Sequence, residues 1–160
     1  MEPSAVTAAA KLLAQARRDK TTIEGLPDHL KPQNLVDAYR IQDALIPLIE
    51  ELSNGKAAGY KAGATTEAAQ QNFGLDTPFW GFLVSSYMLE DGATIAAADC
   101  KFRILEAEFA FYLAEDLPAA AGPYDPGGIQ AAVGGVMTSI EVVDLRYDAG
   151  MGAGGLQIIA

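Results

Sequence analysis

The amino-acid sequence predicts an α+β protein, a helical N-terminal region followed by a β-rich remainder. Three observations lead there. Through the first third, apolar residues recur at the three-and-four spacing of a helix facing a core. From Ala57 onward the apolar runs shorten and are broken by Gly, Pro and Asp turns. Two later segments, Phe102–Leu113 and Val136–Leu145, are rich in β-branched and aromatic residues and read as the clearest strands.

In chain order, Ser4 is the expected N-cap of a first helix whose Val6, Ala9, Leu13 and Ala16 form one stripe. Arg17, Arg18 and Lys20 close it, where cations complement the helix dipole. After a loop with Gly25, Pro27 and Pro32, a second helix is expected over 34–52, with Leu35, Ala38, Ile41, Leu45, Leu48 and Leu52 on one side. Pro47 should kink it, and Ser53-Asn54-Gly55 should end it. A short strand over 57–63 carries Tyr60 and Lys61; Thr65 caps a short helix ending at Gly74, and a strand follows over 80–84. The division expected is a helical region, 1–56, and a β-rich catalytic portion, 57–160. The final run Leu156-Gln157-Ile158-Ile159 reads as a strand, and a stop in mid-strand suggests a chain that continues beyond Ala160.

Half of the 160 residues are hydrophobic, enough for a packed core. A formal net charge of −10 argues against nucleic acid and anionic membranes as partners, since both would repel it. There is no run of about eighteen apolar residues to span a membrane. The lone Cys100 cannot form an internal disulfide, which points to a reducing cytoplasm. Gly150-Met151-Gly152-Ala153-Gly154-Gly155 matches the spacing of a dinucleotide fingerprint. It lacks the strand-to-helix context and the later acidic residue that the motif needs, and is read as a loop. His29 and Cys100 have no partners suited to catalysis.

The chemistry concentrates on carboxylates. In a strand, Leu105, Ala107, Phe109, Phe111 and Leu113 share one face and are expected to pack into a core. Glu106 and Glu108 then share the other, roughly 6.6 Å apart along the chain. In a helix they would point nearly opposite ways, so any joint role requires the strand. Like charges this close repel unless a proton or cation lies between them, and a hard divalent ion is the natural occupant. A solvated edge strand would show the same pattern. Glu141, between Ile140 and Val142, is costly to bury unless paired or bound to metal, although it could equally face outward.

Five segments in order resemble the 2-keto-4-pentenoate hydratase family of the fumarylacetoacetate hydrolase superfamily. They are Ala38-Tyr39-Arg40-Ile41-Gln42, Gly59-Tyr60-Lys61-Ala62-Gly63-Ala64-Thr65, Gly74-Leu75-Asp76-Thr77-Pro78, Glu106-Ala107-Glu108 and Ile140-Glu141-Val142-Val143-Asp144-Leu145-Arg146. The resemblance implies a mixed β-sheet or β-roll domain of the fumarylacetoacetate hydrolase type, shortened at its C-terminus, in a homo-oligomer. It implies magnesium or manganese held by Glu106, Glu108 and Glu141, with Lys61 as catalytic proton shuttle and Thr65 and Phe79 against the substrate. The activity implied is hydration of 2-hydroxy-2,4-dienoates or related 2-oxo acids of aromatic catabolism through a metal-chelated enolate. Pro78-Phe79-Trp80-Gly81 departs from the family pattern, which carries an aspartate where Phe79 stands. That leaves open 2-oxo acid decarboxylation or acylpyruvate carbon–carbon hydrolysis at the same metal. A reading of another class is a catalytically incompetent shortened homologue or assembly partner.

Overall fold

Proline at the first helical position starts the structure: its fixed φ suits a helix and its missing N–H would have no partner there. In the computed structural model, which describes residues 1–160, helix α1 accordingly runs Pro3–Arg18 with Glu2 at its N-cap. Ser4 is therefore inside the helix, and no side chain caps it. The expected stripe is buried, with Ala9 fully enclosed and Val6, Leu13 and Ala16 beside it. Helix α2, Leu35–Ser53, begins at Asn34, whose side chain accepts from the Asp37 amide, and runs through Pro47 to a left-handed Asn54. Ile41 and Ala38 of α2 are wholly buried, and Ile41 shares a cluster with Val6, Ala9, Leu13, Leu26, Leu30 and Tyr147.

Glu50 organises the exit from α2. Its carboxylate accepts from the Ala57 amide at 2.8 Å and pairs with Lys56 at 3.2 Å. Those contacts, the backbone N–H first, hold its pKa below the usual carboxylate value. Strand β1, Ala57–Gly63, then pairs antiparallel with β2, Phe79–Val84, across α3, Glu67–Phe73. Thr66, not Thr65, caps α3, its hydroxyl accepting from the Ala69 amide at 3.2 Å. Ala64 sits at φ 51°, and that left-handed turn moves the helix start one residue on.

Two compact units result. One comprises Met1–Phe102 with Leu145–Ala160; the other is Arg103–Asp144. Within the first unit, residues 155–159 form a short helix, α5, rather than the strand expected from an apolar run too short to show any period. Gly154 at φ 89° turns the chain into it. Gln157 secures it, accepting from the Leu26 amide and donating to the Ala153 carbonyl. The glycine-rich stretch before it folds as a 3-10 turn over Gly150–Ala153, with no strand leading in.

The second unit is a single antiparallel ribbon of β3, Ile104–Leu113, and β4, Val133–Val143, with the short helix α4, Pro126–Ala132, before β4. Its apolar face corrects one expectation. Leu105, Phe109 and Ile140 are 68, 74 and 71 % exposed, with Phe111, Leu113 and Val136 open beside them. Alternation determines which residues share a face, not whether a second layer lies over it. The α+β expectation holds, and its β part is two separate two-stranded pairs. No helix is long and apolar enough to cross a membrane.

Candidate metal centre

The register of the β3–β4 ribbon builds the site. Glu106 lies directly opposite Glu141, and Glu108 lies two residues along β3, opposite Ser139. Side chains directly opposite on an antiparallel pair point to the same face, as do residues two apart on one strand. All three glutamates therefore share the face opposite Leu105, Phe109 and Ile140. One carboxylate oxygen from each lies within 4.8 Å of the other two. Glu106 and Glu141 are half-buried and Glu108 is exposed.

A point equidistant from three oxygens at that outer spacing is about 2.8 Å from each. Ligand distances are about 2.0–2.1 Å for magnesium and 2.3–2.6 Å for calcium, so side-chain rotations of under about 1 Å would close the set on an ion. The donor chemistry fits a hard cation. Three carboxylates with no imidazole or thiolate suit magnesium, manganese or calcium and not the softer transition metals. The single histidine, His29, and the single cysteine, Cys100, belong to the other unit.

The remaining candidates lie in the first unit. Lys61 on β1 is half-buried and faces Gly81 on β2; an added Cβ on Gly81 would touch the Lys61 stem at 3.5 Å. Phe79 stands opposite Gly63 two residues along the same face, and its ring covers that glycine so closely that a Cβ there would meet it at 2.5 Å. Phe73 packs edge-on against Phe79 at 5.9 Å. Thr65 is exposed in the loop between β1 and α3. The structure thus brings the three glutamates together on one ribbon, and Lys61 and Phe79 together on another.

One device went unread in the sequence. Tyr39 and Gln42, one turn apart on α2, hold both backbone groups of Trp80. The Trp80 amide donates to the Tyr39 hydroxyl at 3.2 Å, and the Gln42 amide donates to the Trp80 carbonyl at 3.2 Å and to the Ile159 carbonyl at 2.8 Å. The Tyr39 and Trp80 rings stack at 4.6 Å. This anchors the start of β2, next to Phe79. The sequence marked both residues within the segment Ala38-Tyr39-Arg40-Ile41-Gln42, and their three-residue spacing put them on one side of the helix, but neither signal pointed to Trp80.

No family model matches the chain. Among curated proteins, it is 33% identical over 142 residues to 2-keto-4-pentenoate hydratase 1 of Dechloromonas aromatica, an alignment covering 88% of this chain and 52% of that protein. The chain is homologous to the 2-keto-4-pentenoate hydratases and 4-oxalocrotonate decarboxylases. The decarboxylase of Pseudomonas putida is 29% identical over 143 residues, covering 89% of this chain and 53% of that protein. The fold agrees with this hydratase/decarboxylase family. A solved 4-oxalocrotonate decarboxylase from Pseudomonas putida G7, complexed with magnesium and adipate, superposes with a TM-score of 0.84 at 24% identity. That match takes in 100% of this chain and 61% of the other. The chain spans about half the length of the curated relatives it matches.

Proposed function

We propose that this chain carries the metal-binding part of a divalent-cation-dependent lyase acting on 2-oxo acids and 2-hydroxy-2,4-dienoates of aromatic catabolism. The observation that carries this reading is the meeting of Glu106, Glu108 and Glu141 within 4.8 Å, in a chain homologous to enzymes of that chemistry. Those three residues would hold magnesium or manganese. When bound, the ion would supply Lewis acidity toward the carboxylate and 2-oxo oxygens of a substrate.

The protein's own groups would do the rest. Lys61, with its stem against the bare Gly81 backbone, would carry a proton to or from the substrate carbon and offset anionic charge. Phe79, braced by Phe73, would give the substrate's hydrocarbon end an apolar wall and keep water from it. Thr65, exposed beside β1, would offer a hydroxyl to a substrate oxygen. All six residues fall within 57–160, the portion we propose as the catalytic one.

Hydration is the first reaction proposed. Decarboxylation is the second, and Phe79 favours it: adding water calls for a group that activates water, and a phenyl ring can neither accept nor donate that proton. Carbon–carbon hydrolysis would need the same activated water. Calorimetric titration with magnesium, and turnover of 2-keto-4-pentenoate and 4-oxalocrotonate with and without the ion, test the proposal. Magnesium should bind, and Glu108→Gln should weaken it with the melt preserved. Undiminished affinity in that variant would refute the three-glutamate assignment. Turnover of 4-oxalocrotonate alone would select decarboxylation, and Lys61→Met with full turnover would remove Lys61 from the reaction.

A further inference from the structure

The face of the ribbon that carries the glutamates has a fourth polar corner. From one end to the other, its directly opposed pairs are Ile104 with Val143, Glu106 with Glu141, Glu108 with Ser139, Ala110 with Met137, and Tyr112 with Gly135. Ser139 is thus the one hydroxyl directly across from a candidate ligand, and it also lies two residues before Glu141 on the same strand. Directly opposed side chains on an antiparallel pair have Cβ atoms about 4.5–5.5 Å apart. That puts a serine hydroxyl within reach of the carboxylate across from it, with no backbone movement.

We propose that Ser139 is a positioning residue for the metal centre. Its hydroxyl donates to the Glu108 carboxylate oxygen turned away from the ion, and so fixes the rotamer in which Glu108 ligates. This rests on the metal-binding reading above. The need for such a donor follows from charge and exposure. Three carboxylates bring up to three negative charges to a divalent ion, leaving a surplus that a hydrogen-bond donor offsets. Glu108 is also the most exposed of the three, on a long side chain with several rotamers, so it gains the most from being held. The neighbouring hydroxyl, Thr138, pairs with Phe109 on the other face and cannot substitute.

Ligand-orienting partners of this kind typically change metal affinity by about 10- to 100-fold when removed. Ser139→Ala should therefore weaken magnesium binding by roughly 10-fold in calorimetric titration of the whole chain, with the magnesium-free thermal melt unchanged. Ser139→Thr keeps the hydroxyl on a β-branched side chain suited to a strand and should restore the affinity. Thr138→Ala should leave it unaltered. Combining Ser139→Ala with Glu108→Gln should cost no more than Glu108→Gln alone, because the hydroxyl acts through that carboxylate. If Glu108→Gln weakens binding and Ser139→Ala does not, the role of Ser139 is overturned while the metal centre stands. If neither variant changes affinity, the metal centre itself is wrong. A loss in Ser139→Ala that Ser139→Thr fails to restore would show a requirement for small volume instead, and would also overturn the proposal.

Discussion

Replacing Glu106 by Gln sets two consequences of the same geometry against each other. Glu106 faces Glu141 across the ribbon and Glu108 along its own strand, all with carboxylate oxygens within 4.8 Å. Two unit charges 4.8 Å apart repel by about 0.9 kcal/mol in water and about 3.5 kcal/mol at an effective dielectric constant of 20. None of the three is fully buried, so the lower figure applies to each pair, and removing the Glu106 charge relieves two such repulsions in the metal-free protein, about 2 kcal/mol together before screening by salt. With magnesium at 100 times its dissociation constant, the wild-type protein gains about 2.7 kcal/mol. The variant, lacking one ligand charge, gains far less. Urea unfolding in chelator and in excess magnesium measures both effects: Glu106→Gln should unfold later than wild type without the ion and earlier with it. A variant less stable than wild type in chelator, with an undiminished magnesium increment, would refute the argument that like-charge repulsion awaits a cation there.

Three other outcomes are expected from contacts elsewhere in the protein. Gly63→Ala should cost about 1–3 kcal/mol in urea unfolding, because its Cβ would lie 2.5 Å from the Phe79 ring; in a Phe79→Ala background the cost should largely vanish. Asp37 has its pKa held below 3.8 by a hydrogen bond from the Met1 ammonium and by the Gln33 amide, so the unfolded chain takes up its proton first as pH falls. Its contribution is therefore present above pH 3.8 and lost as pH drops through the lower folded value; Asp37→Asn should flatten thermal melts against pH in that range. Phe109→Ser, at a position 74 % exposed, should leave the melting temperature within a few degrees and reduce dye binding and light scattering, since it interrupts the open apolar face.

The sequence by itself determined what is local. Helical spacing marked the buried stripe of α1 and the Ala38–Ile41 centre of α2, because period alone decides which side chains leave a helix together. Asn34 and Asn54 bounded α2 through capping chemistry that needs nothing beyond one turn of backbone. Alternation put Glu106 and Glu108 on one face of a strand. Four-residue signals failed where more distant groups decide: Gln157 reaches Leu26, 131 positions away, and residues 155–159 close as helix α5. Only tertiary structure could set the β3–β4 register. Shifting it by one residue would turn Glu141 to the other face, and nothing within either strand chooses between the two. The pairing of Glu106 with Glu141, the placement of Ser139 across from Glu108, and the hold of Tyr39 and Gln42 on Trp80 all join residues more than thirty positions apart. Their geometry exists only once the chain has closed those distances, so a one-dimensional pattern could name the residues but not bring them together.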